Sequence, residues 1–105
     1  YKAYPRAIRL NKLKDYFDKR IEVLVLVERV KVIDTKKGDR MAFVTGSDET
    51  STIDFTFFPN IYKIYSDVSK GDILKINGRV EKRFDEWQMA VNKVERLNGE
   101  INEKN

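Results

Sequence analysis

The chain has 105 residues, 41% of them hydrophobic and 36% charged, with a net charge of +4 and neither Cys nor His. That suffices for one small, densely charged domain, and it excludes disulfides, thiol nucleophiles, Cys/His zinc sites and every histidine-based acid–base device. Residues 1–20 hold seven Lys/Arg against Asp15 and Asp18, giving +5, while the other 85 residues hold 14 basic and 15 acidic groups, giving −1, so only local charge can point to a partner of the main body.

In the N-terminal segment, Leu13, Tyr16 and Phe17 recur at helical spacing behind Asn11, a suitable N-cap. The spacing predicts one short helix over residues 12–17, with Ile8 and Leu10 extended before it. Beyond residue 20 the period changes to that of strands. Val23, Val25 and Val27 alternate, and Val30 and Val32 resume after a phase slip at Glu28-Arg29 that predicts a bulge. Residues 34–40 form a loop around Lys36-Lys37-Gly38-Asp39. A second strand is predicted over 41–47 and a third over 52–58, joined by a turn at 48–51.

Pro59 stops the third strand and suits the first turn of a helix, whose buried stripe is Ile61, Tyr62, Tyr65 and Val68. Gly71 closes that connection. A fourth strand is predicted over 73–82, with Leu74, Ile76 and Val80 on one side. Phe84-Asp85-Glu86 then turns into a fifth over 87–97, with Met89, Val91 and Val94 inward after another bulge. Residues 98–105 lack periodicity and read as a frayed tail. The expected organisation is an N-terminal segment over 1–20, a barrel over 21–97 and the tail. Three strands, a helix and two strands is the order of the OB-fold, an all-β, five-stranded Greek-key barrel with its helix between strands three and four. Barrels of the SH3 type lack that helix.

Thr35-Lys36-Lys37-Gly38, Met41-Ala42-Phe43, Asp48, Thr50, Ile53-Asp54, Phe58-Pro59 and Tyr62, continued by Gly71 and Gly78-Arg79-Val80, carry a resemblance. They resemble the OB domain of the bacterial replicative DNA polymerase III alpha (catalytic) subunit, with the pattern T-K-K-G-x-x-M-A-F-x-T-L-E-D-x-T-G-x-I-E-V-V-V-F-P. Anticodon-binding domains of class II tRNA synthetases share the fold and a looser form of the second strand. The chain departs from the polymerase pattern at Gly46-Ser47 in place of Leu-Glu, at Ser51 in place of a turn Gly, and at Phe84-Asp85 in place of Asp-Gly. Gly46 leaves an inward position without a side chain.

Aromatic residues on polar strand faces mark the candidate site. Phe43 alternates with Ala42 and Val44 and shares its face with Thr45, while Thr56 and Phe58 share a face with Asp54. Aromatics on the wet face of strands two and three suit single-strand recognition, because every base offers a π-face. Lys36, Lys37 and Arg40 between strands one and two, and Lys82 and Arg83 beside Phe84 and Trp87 between strands four and five, suit phosphates and further stacking. The alternatives are packing of Phe43 under a loop, stapling of the helix entry by Phe58, and Trp87 as an anchor for Lys or Arg stems. Asp48, Glu49 and Asp54 gather at one turn; weak Mg²⁺ binding is possible there, but a charged hairpin turn is the reading adopted, so no metal site is assigned.

The resemblance implies a module that contacts single-stranded DNA near the replicating template, in the cytoplasm, alongside other polymerase domains and as a monomer. Opening on Tyr1 rather than Met suggests a piece of something longer. The subunit it resembles is a metal-dependent DNA-directed nucleotidyltransferase whose catalytic aspartates lie in another domain. This piece is therefore expected to bind rather than catalyse, and to need no cofactor. An RNA-binding module of the anticodon kind and a protein-docking module are the alternatives. The longest apolar stretch, residues 21–33, is broken by Glu22, Glu28, Arg29 and Lys31, so no membrane span is expected.

Overall fold

The computed structural model describes residues 7–97, so the tail expected over 98–105 lies outside the described residues. Five strands close into a barrel: β1 (Arg20–Asp34), β2 (Arg40–Ser47), β3 (Thr52–Phe57), β4 (Ile73–Arg83) and β5 (Glu86–Arg96), in the order β1-β2-β3-β5-β4. A short helix α1 (Pro59–Tyr62) lies between β3 and β4, and a 3₁₀ helix (Leu10–Tyr16) precedes β1. This is the expected OB-fold barrel.

Fifteen residues let β1 serve two neighbours. Its first half pairs with β4 from Arg20 to Leu26, and its second half pairs with β2 from Leu26 to Asp34. The bulge between Val27 and Arg29, at the predicted slip, bends the strand between these partners. Val23, Val25 and Val27 are buried before it, but Val32 beyond it is exposed, where β1 pairs with β2 and no longer with β4. Because the chain crosses through α1 between β3 and β4, β5 returns parallel to β3, with Phe55 beside Met89.

Period-two alternation points Ala42, Val44, Ile53, Phe55, Phe57, Leu74, Ile76, Val80, Met89 and Val91 into one core. Phe55 and Phe57 are wholly buried, each worth about 2–3 kcal/mol of apolar burial. Gly46 also points inward. A Cβ there would lie 2.8 Å from the Phe55 ring and 3.0 Å from a Val25 methyl. The Phe55 ring thus occupies the space that a side chain at Gly46 would fill. At the tip between β1 and β2, Gly38 takes a left-handed φ of 88°, and its N–H donates to the Thr35 carbonyl.

The N-terminal helix departs from its predicted form. It is a 3₁₀ helix starting at Leu10, and Asn11 is not its N-cap. Its first N–H groups are satisfied from a distant turn: Leu10 donates to Asp48 Oδ2 at 2.8 Å and Asn11 to Thr50 Oγ1 at 3.2 Å. Helix α1 is also shorter than its sequence stripe, continuing past Tyr62 only as turns, although Ile61 and Val68 are buried as expected. Arg96 at the end of β5 donates to Asp67 at 3.0 Å, and this bond holds the Asp67 carboxyl below its usual range.

Candidate nucleic-acid interface

Alternation that fills the barrel also sets its outer face. Phe43 on β2 stands between Lys31 on β1 and Thr56 on β3, and Thr56 pairs in turn with Ala90 on β5. A second row runs from Thr45 through Asp54 and Gln88 to Glu81. The Thr45 hydroxyl donates to Asp54 Oδ1 at 2.9 Å, which fixes the carboxylate on the sheet surface.

Two depressions open on this face. The larger, about 650 Å³, is lined by Phe17, Met41, Phe43, Thr56, Phe58 and Lys82, with Asp18, Glu81, Arg83 and Gln88. The smaller, about 330 Å³, lies between the start of β3 and the β4–β5 hairpin and includes Asp54, Arg83, Phe84, Trp87 and Gln88. Arg83 and Gln88 border both, so the depressions are contiguous. Phe43 is half-buried and Phe58 is 46% exposed, so each ring keeps surface toward the groove; Thr56 is nearly buried in its floor. Phe58 lies just beyond β3, where its carbonyl accepts from Ile61 and Tyr62 and starts α1.

Trp87 is half-buried against the core, with Lys82 Nζ 5.5 Å from its ring centroid and Phe17 edge-on at 5.8 Å. At the hairpin tip, Phe84 and Asp85 both take left-handed φ values, 50° and 66°, a type I′ pair that ordinarily falls to Asn-Gly. A left-handed backbone costs Phe about 1–2 kcal/mol. At 91% exposure Phe84 recovers none of this by burial.

The basic residues of the β1–β2 hairpin sit elsewhere. Lys36 and Lys37 are exposed at its tip and line neither depression. Arg40 forms an exposed ion pair with Asp34 at 3.4 Å and borders a separate hollow with Pro59, Asn60 and Tyr62. The carboxylates at the β2–β3 turn are committed locally. Asp48 Oδ1 accepts from the Thr50 N–H and hydroxyl and from the Ser51 N–H, and Glu49 pairs with Arg9.

Sequence reasoning missed five residues of the larger depression, Phe17, Asp18, Met41, Glu81 and Gln88. Helical spacing puts Phe17 on the buried stripe, but the residue follows the 3₁₀ helix and is 57% exposed. Leu10, Leu13 and Tyr16 recur every three residues, the 3₁₀ period, and that spacing leaves Phe17 off the stripe. Gln88 lies one residue from the inward Met89 and looked like any solvated strand residue.

Residues 13–97 match the family described as the OB-fold nucleic acid binding domain. DNA polymerase III subunit alpha of Staphylococcus aureus is 33% identical over 97 residues, covering 91% of this chain and 9% of the relative. Its counterpart in Staphylococcus epidermidis is 36% identical over 73 residues, covering 69% of this chain and 7% of the relative. The chain therefore spans under a tenth of the length of these relatives. Among solved structures, an OBody bound to hen egg-white lysozyme superposes with a TM-score of 0.71 at 16% identity, covering 89% of this chain and 95% of that one. The second OB-fold domain of replication protein A from Methanococcus maripaludis gives 0.57 at 19% identity, covering 78% and 87%. No helix among the described residues is long and apolar enough to cross a membrane.

Proposed function

The chain belongs to the family of OB-fold nucleic acid binding domains, and from that premise we propose that it holds single-stranded DNA across the outer face of β2, β3 and β5. Its proposed place is as a template-contacting module of a longer replicative polymerase subunit in the cytoplasm, alongside that subunit's other domains and itself monomeric. Its part there is to hold the strand, with nucleotide joining carried by other domains and no cofactor bound by this one. The observation that carries this reading is the 650 Å³ groove into which Phe43 and Phe58 present their rings.

Bases stack on those rings, and Lys82 and Arg83 at the groove edge take phosphates. The strained, exposed Phe84 supports a role for the hairpin tip, since strain without burial is often kept for a contact. Lys36, Lys37 and Arg40 lie outside the groove and would meet only phosphates of a strand that runs beyond it, while Thr45 steadies the floor through Asp54.

Salt titration of oligonucleotide binding tests the electrostatic half of this proposal. Each phosphate contact to a single strand contributes about 0.7 to the slope of log K against log salt. Replacing both Lys82 and Arg83 with Ala should flatten the slope by about 1.4. An unchanged slope would show that the β4–β5 hairpin is only solvated.

A further inference from the structure

The groove floor carries acceptors and its edge carries cations. Gln88, shared by both depressions, is flanked by Asp54 on β3 and Glu81 on β4. Its carboxamide makes no hydrogen bond among the described residues. Thr45 engages one oxygen of Asp54, and Arg79 lies 3.4 Å from one oxygen of Glu81. A phosphate on this floor would meet two carboxylates, so a strand lies with bases down and phosphates toward Arg83 and Lys82.

A base edge facing this floor is tested for donors. Cytosine and thymine are alike in size, but cytosine carries an exocyclic amino group where thymine carries a carbonyl oxygen. Gln88 alone serves either edge by turning its amide. Where the C4 substituent meets the flanking carboxylates they break the tie, because they accept from cytosine's amino group and repel thymine's carbonyl oxygen, although thymine's neighbouring N3–H can still donate. We propose that the Asp54–Gln88–Glu81 row selects bases bearing an exocyclic amino group, preferring cytosine to thymine where the strand crosses between the two depressions. This rests on the proposed single-strand function.

The test compares cytidine and thymidine homo-oligodeoxynucleotides of equal length, at neutral pH and one salt concentration, by fluorescence anisotropy. The cytidine strand should bind at least about fivefold tighter, the lower end of what a well-matched base contact discriminates. In the Asp54→Asn/Glu81→Gln double variant the ratio should fall toward one. Asp54→Asn alone keeps an acceptor for Thr45 and should lower the ratio part of the way. Equal wild-type affinities, or a preference that survives the double substitution, would overturn the inference and leave single-strand binding standing. Binding of neither strand would overturn the proposed function together with it.

Discussion

Phe55→Ala should destabilise the domain by about 3–5 kcal/mol, the cost of emptying a fully packed aromatic site. Phe55 has no exposed surface, pairs with Val44 and Met89 across two neighbouring strands, and fills the space over Gly46. Removing its ring leaves a void bounded by residues on several strands, which a closed barrel cannot collapse to fill. Urea denaturation should show a lower midpoint at similar slope. A loss below about 1 kcal/mol would mean that the site relaxes freely and that the packing described around Gly46 is not holding the barrel.

Phe43→Ala should act on binding. The ring is half-buried on the outer face, between Lys31 and Thr56, so its loss should cost about 1 kcal/mol of stability or less. It should weaken single-strand affinity by about 1–3 kcal/mol, the usual worth of one stacked base. The salt slope should stay unchanged, because no phosphate contact is removed. Melting and oligonucleotide affinity measured on one preparation separate the two effects. A destabilised protein with normal affinity per folded molecule would assign Phe43 to packing and remove the groove's central ring.

The barrel was legible in the sequence because period-two alternation is forced wherever one face is buried. Val23, Val25 and Val27 before the slip, and Phe55 with Phe57 after the β2–β3 turn, could face only the core. Pro59 marked the start of α1 for a backbone reason, its fixed φ and missing N–H. The N-terminal segment was less legible because its caps come from Asp48 and Thr50, nearly forty residues away, and no local pattern announces them. Phe17 falls off the buried stripe because the chain winds there at three residues per turn, not 3.6. At the candidate site, the sequence marked Phe43, Phe58, Lys82 and Arg83 as one set, and they line one groove. It also grouped Lys36, Lys37 and Arg40 with them, which tertiary placement separates, because the β1–β2 ladder carries that hairpin tip beyond the groove.

The most direct test of the central claim is a titration of the ¹⁵N-labelled protein with a mixed-sequence single-stranded oligodeoxynucleotide at low salt, followed by backbone amide shifts. The account predicts progressive shifts at Phe17, Phe43, Thr56, Arg83 and Gln88, with little change at Tyr65 and Val68 in the β3–β4 connection, which line neither depression. Shifts confined to that connection, or none at all, would contradict single-strand binding in the groove.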